Sequence, residues 1–168
     1  MMKRCVLRGS LALLVAAPAG GSALAQSTPA PAGSAPPPAA APYAMTLGDM
    51  MNTLIQPRHA KLGLAGKAQN WALARYAMVE IRQAFAGIVK AVPKFRGLPV
   101  GELVTAALSQ PMDAVDAAIK AQDPQQFAAA YAQLTAGCNA CHAAADHPYV
   151  VIKVPDVSAF PNQDFNPH

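Results

Sequence analysis

Apolar residues recur along this chain at intervals of three and four, and four stretches carry the pattern. The most regular is NWALARYAMVEIRQAFAGIVKAVP (70–93). There Trp71, Ala74, Met78, Ile81, Phe85, Ile88 and Val92 alternate steps of three and four. Such spacing draws one stripe down an α-helix. Asn70 stands where an N-cap belongs, and Pro93 marks the end. In DPQQFAAAYAQLTAGCNACHAAAD (123–146) the stripe is Phe127, Tyr131, Leu134, Cys138 and Cys141. Asp123 suits the N-cap, Pro124 the first helical position, and Gln126 the third position of a capping box. Both cysteines therefore continue the core face of the helix. Gly137, beside Cys138, either gives room for something flat to approach or is simply tolerated.

Two further stretches carry the same period less cleanly. Residues 46–66 offer Leu47, Met51, Leu54 and Leu62, with Met50 and Ile55 beside them, and Pro57 interrupts the run. Residues 99–122 offer Val104, Ala107, Leu108, Met112, Val115 and Ile119, interrupted by Pro111. An internal proline removes one backbone donor, so a kink is expected at Pro57. Four helices with short connections predict an all-α fold, an antiparallel four-helix bundle over residues 45–147. Beyond it the period is lost. Residues 148–168 hold a short β-like run, Tyr149 to Val154, and then Pro155, Pro161 and Pro167. An extended tail anchored by Val151, Phe160 and Phe165 is expected.

The start of the chain has a different character. Lys3, Arg4 and Arg8 precede the apolar run LALLVAAPAGG (11–21) and the small-residue signature ALA (23–25). These are the parts of a secretory signal peptide over residues 1–25, so an exported, periplasmic protein is expected. The apolar run is shorter than the ~20 residues a membrane span needs. The mature chain is thus expected to have no transmembrane span. Residues 26–44 are rich in Pro and Ala, with almost no charge and few large apolar side chains. Such a leader cannot bury enough surface to fold. Cleavage removes Cys5, three of the thirteen basic residues and none of the nine acidic ones, so the net charge falls from +4 to +1. No argument for nucleic acid or an anionic membrane surface remains.

Two cysteines are left, in GCNACHAAADH (137–147). C-x-x-C-H is the attachment signature of a c-type haem. On a helix, positions i and i+3 share a face, so two sulfurs can reach two vinyl groups on one porphyrin edge. The adjoining His142 can then ligate iron. Three other chemistries compete. Zinc would draw on Cys138, Cys141, His142 and His147, but adjacent ligands converge poorly on a tetrahedron. A thioredoxin-like redox pair wants a preceding strand. A structural disulfide within one helix turn constrains almost nothing. Low aromatic content and Ala at inward positions leave core volume that a haem would fill.

The signal sequence, four helices and CNACH near the end of the last helix together resemble the class II c-type cytochromes, the cytochrome c′ type. The resemblance implies one covalent haem c on Cys138 and Cys141, His142 as proximal iron ligand, and a first helix facing the distal side. Such cytochromes usually place a basic residue just after the His and then stop, whereas here Ala143–Asp146 and a tail follow.

The first helix offers Met51 and His59 as candidates for the sixth ligand, although Met also fills cores and His59 can equally be a satisfied core or solvent-facing histidine. His147, Arg58 and Lys61 are candidates to meet haem propionates. A closed sixth position implies a monohaem electron carrier serving a redox partner protein. An open one implies a protein that binds NO or CO. A subunit of a larger redox complex is a third reading. Bundles of this type also pair into homodimers. No nucleophile–base pair, carboxylate dyad or phosphate loop points to an enzyme.

The exported protein is expected to begin at Gln26. Intact mass spectrometry checks this; an exported form that keeps residues 1–25 would overturn the signal-peptide assignment.

Overall fold

In the computed structural model, residues 41–168 are described. The expected signal peptide and most of the expected leader lie outside these residues. The leader's last residues, 41–44, are exposed and irregular, and the Tyr43 hydroxyl bonds the Asp49 carboxylate.

The first helix, α1 (residues 47–67), starts at a reciprocal capping box. The Asp49 N–H donates to Thr46 Oγ1 at 3.2 Å, and the Thr46 N–H donates to Asp49 Oδ2 at 2.8 Å. It comprises an α-turn, Leu47–Met50, a π-helical turn, Met51–Ile55, and an α-helix, Gln56–Lys67. The interruption expected at Pro57 takes the form of this π-turn, and the helical backbone continues through it. Pro57 has no N–H for the Thr53 carbonyl. The wider turn pairs Gln56 N–H with the Met51 carbonyl and puts Pro57 at the start of the next α segment, where a donor is not needed.

Helix α2 is Trp71–Ala91, and its N-cap Asn70 accepts from the Leu73 N–H at 3.1 Å. A minimal hairpin follows, β1 Lys94–Phe95 against β2 Leu98–Pro99. Arg96 and Gly97 form its two-residue turn with φ of 50° and 84°. Positive φ at both positions matches the twist of the strands. Helix α3, Val100–Ala121, passes through Pro111 without a break. Helix α4 is Pro124–Ala144. Its N-cap Asp123 accepts from the Gln125 and Gln126 N–H groups at 2.9 Å, and Gln126 answers with its side-chain amide on the Asp123 carboxylate.

Residues 42–168 form one compact unit, mostly helical, with a single two-stranded sheet among the described residues. Each helix packs on the next, and α4 also meets α1. The stripes read from the sequence meet in one core: Leu62 of α1, Met78, Ile81 and Ile88 of α2, Leu108, Val115 and Ile119 of α3, and Tyr131 and Leu134 of α4 are fully buried. Each large apolar side chain buried this way contributes roughly 1.5–3 kcal/mol. None of the described helices is long and apolar enough to cross a membrane.

A close backbone approach joins α3 to α4. A Cβ on Gly137 would lie 2.5 Å from the Ala107 carbonyl oxygen and 2.9 Å from Leu108 Cδ2. What approaches Gly137 is thus the α3 backbone. Pro111 explains the partner: it has no N–H to offer the carbonyl four residues earlier, which is that of Ala107. The tail after α4 is irregular, and the β-like run forms no strand. Phe165 is buried and Phe160 half-buried, as expected of anchors. Val151 is 65% exposed, and its neighbour Ile152 turns inward instead.

Gly137→Ala is expected to lower stability by about 1–3 kcal/mol through overpacking. Helix propensity alone would favour Ala by ~1 kcal/mol. Thermal unfolding separates the two, and a higher melting temperature would contradict the close approach.

Candidate functional site

The last turns of α4 carry the chemistry. Cys138 is buried and Cys141 half-buried; both thiols are free. With His142 they open on an apolar cavity of about 320 Å³. Met51, Ile55 and His59 form its α1 wall, and Phe85 reaches it from α2. Val104 and Leu108 line the α3 side, Phe95 comes from the hairpin, and Val150–Ile152 come from the tail. The three motif residues and both sixth-ligand candidates therefore border one space. A larger groove of about 430 Å³, bordered by Met50, Leu54, Arg58 and Glu80, holds no thiol or imidazole.

Burial pushes the Cys138 thiol up to about 11, with Cys141 adding to the effect, and burial also raises Cys141. Both are therefore thiols at neutral pH. A redox or nucleophilic cysteine needs the opposite, a depressed pKa in an electropositive setting. Among the described residues, no group of three or more His, Cys, Asp or Glu is arranged to hold a metal ion. The four residues considered for zinc do not converge.

His142 is half-buried, and its Nδ1 lies 2.8 Å from the Val150 carbonyl oxygen. A carbonyl only accepts, so the proton is on Nδ1 and the lone pair on Nε2. α4 ends just beyond it: Asp146 adopts φ 63°, and the His147 N–H donates to the His142 carbonyl at 2.8 Å. His147 donates from Nδ1 to the Ala145 carbonyl at 2.7 Å, with Phe95 and Tyr149 each 5.6 Å from its ring.

His59 is buried and bonded through both nitrogens. Thr135 Oγ1 gives its proton to the Tyr131 carbonyl at 2.9 Å, so it accepts from His59 Nε2–H at 2.9 Å. Nδ1 then accepts from the Tyr131 hydroxyl at 3.0 Å, which is shared with the His59 carbonyl at 2.7 Å. Burial depresses the His59 pKa to about 4. Using His59 as a ligand would break this pairing. Met51 is half-buried at the first position of the π-turn. Of the propionate candidates, Arg58 bonds Glu80 at 3.3 Å and the Leu54 carbonyl at 2.9 Å. Lys61 stands over the Phe160 ring at 4.8 Å.

The chain matches no family model, no curated protein and no solved structure. Several residues at the site were not singled out from the sequence: Phe95, Asn139, Thr135 and the Val150 carbonyl. Arg96-Gly97 between Phe95 and Leu98 was the available signal for the hairpin. The spacing of Tyr131 and Thr135, four apart on the stripe, was the signal for polar atoms facing the core. Nothing local marks Val150.

The depressed His59 pKa makes stability depend on pH. Between about 4 and 6.5 the unfolded chain binds a proton that the folded chain rejects. Stability is complete above pH 6.5 and falls as pH drops toward 4, by up to roughly 3 kcal/mol. Urea midpoints at pH 7 and 4.5 measure this, and His59→Gln is expected to flatten that interval.

Proposed function

We propose that this protein is an exported monohaem c-type cytochrome of the class II kind, an antiparallel four-helix bundle that transfers electrons to and from a redox partner protein. One observation carries the reading: two free thiols spaced i, i+3 and an imidazole with a committed Nδ1 border the same apolar cavity. The residues fit a covalent haem. Its volume lies in the ~300–1,000 Å³ range of ligand pockets. Cys138 and Cys141 would hold the group by thioethers, and His142 would ligate iron through Nε2. Haem, when bound, supplies a one-electron couple at its iron.

The chain's own residues do the rest. The apolar walls at Ile55, Phe85, Val104 and Leu108 exclude water, which favours the less charged redox state. The Val150 carbonyl holds the His142 proton on Nδ1. On the α1 wall, His59 is occupied by Tyr131 and Thr135, so Met51 is the side chain offered as sixth ligand. Because no side chain of the α1 wall is bonded to His142 across the cavity, binding of NO or CO is the second reading.

Expression with export and haem-maturation machinery is expected to give a pigment that stays on the chain after denaturation. Cys138→Ala and Cys141→Ala are expected to weaken or abolish attachment. A chain exported without covalent haem would end the cytochrome reading. The ferrous protein is expected to be low-spin and slow to bind CO, and Met51→Leu to make it high-spin and CO-reactive. A high-spin wild type that binds CO at once would favour the gas-binding reading.

A further inference from the structure

The tail crosses the end of α4 at two points that share one geometry. The Asn139 side chain pairs with both backbone groups of Ile152: Nδ2 donates to the Ile152 carbonyl at 2.9 Å, and Oδ1 accepts from the Ile152 N–H at 2.8 Å. Two residues earlier on the tail, the Val150 carbonyl accepts from His142 Nδ1–H. Asn139 and His142 are three apart on α4 and so lie on one side of it. Val150 and Ile152 are two apart on irregular chain, where alternate carbonyls face alike when the backbone is extended. A side-chain amide therefore stands in for a neighbouring strand and sets which tail carbonyl reaches the imidazole. Farther along, Lys67 Nζ donates to the Asp156 carbonyl at 3.2 Å, and Asn70 Nδ2 to the Asn166 carbonyl at 2.9 Å. The course of the tail is held at the end of α1 and at the N-cap of α2 as well, although Tyr149, Val151, Val154 and Val157 face outward.

We propose that Asn139, the first variable residue of the C-x-x-C-H motif, is a positioning residue for His142: by clamping Ile152 it holds the Val150 carbonyl on Nδ1 and so sets the tautomer and donor strength of Nε2. This rests on the cytochrome reading for its redox consequence, but the tautomer is a property of the chain itself. A backbone acceptor on one ring nitrogen raises the basicity of the other and orients the ring. With haem bound, a more basic His142 would favour the oxidised iron, so the clamp would lower the potential.

The test compares wild type with Asn139→Ala and Asn139→Asp in the full chain. In haem-loaded protein, Asn139→Ala is expected to raise the midpoint potential. The ferrous iron–imidazole stretch of the Met51→Leu background, measured by resonance Raman, is expected to fall. Amide exchange at Ile152 is expected to rise about tenfold, the loss of one hydrogen bond. Asn139→Asp keeps the acceptor for the Ile152 N–H and loses the donor, so it is expected to fall between. Faster exchange at Ile152 with potential and stretch unchanged would overturn the proposal, because the clamp would then be structural only. Unchanged exchange would overturn it too. In haem-free chain, nitrogen NMR of His142 is expected to show the Nδ1–H tautomer in wild type and a mixture in Asn139→Ala. That measurement stands if no haem attaches, and an unaltered tautomer there would overturn the proposal independently of the cytochrome reading.

Discussion

The packing of Gly137 against the Ala107 carbonyl constrains the rest of this molecule. Any Cβ at residue 137 would meet that oxygen at 2.5 Å, so α3 and α4 approach backbone to backbone at this point. The contact is made possible by two residues far apart in sequence. Pro111 leaves the Ala107 carbonyl without its usual helical donor, and Gly137 presents only hydrogen to it. A Cα–H···O contact is weak, worth about 0.5–1 kcal/mol, but it partly satisfies an acceptor that would otherwise be orphaned. Cys138 follows at once, and Leu108 follows Ala107. The two helices are thus registered where the cavity begins, and the thiol and the α3 wall inherit their positions from that crossing.

A second fixed point joins α4 to α1. Tyr131 and Thr135, one turn apart, grip the two nitrogens of His59, and the rings of His59 and Tyr131 stack at 4.8 Å. A buried imidazole without partners would cost several kcal/mol. With both nitrogens and the hydroxyl satisfied, the cluster is tolerated and allows only one register between the helices. The π-turn lies on the same helix just before Pro57. It adds a residue to one turn, so Met51 and the residues before it are rotated relative to His59 and those after it. Both therefore border the cavity although one is bonded into the core and the other is not.

The periodic parts of this fold were legible because their cause is local. The stripe from Trp71 to Ile88 and that from Phe127 to Cys138 turn inward as read, and the caps at Asn70 and Asp123 stand where their side chains can accept. The prolines were harder. A missing donor was visible at Pro57 and Pro111, but whether a helix breaks depends on what else can satisfy or shield the freed carbonyl. At Pro57 the answer was a change of turn, and at Pro111 a glycine on another helix. Neither is encoded nearby. The tail failed for a related reason. Alternation in Tyr149–Val154 gives two possible faces, and the choice of Ile152 over Val151 is made by Asn139, ten or more residues away. The motif itself announced the thiols and His142, while the acceptor that orients His142 is a backbone atom and has no sequence signature.

The histidines show why residue type alone could not sort the site. Four are present in the chain, and their partners differentiate them. His59 has a protein partner on each ring nitrogen and is buried, which makes it a joint between helices. His168 is exposed and lies 3.5 Å from the Asp164 carboxylate. His142 and His147 both border the cavity, and each spends Nδ1 on a different backbone carbonyl, Val150 for one and Ala145 for the other. Those separate acceptors, and the aromatic rings on either side of His147, fix the two imidazoles independently. In each ring the carbonyl takes the Nδ1 proton and leaves Nε2 as the nitrogen with a lone pair. What separates one histidine from the next is therefore its acceptor, a side chain for His59 and a different backbone carbonyl for each of the other two at the cavity, and a backbone carbonyl has no letter in the sequence.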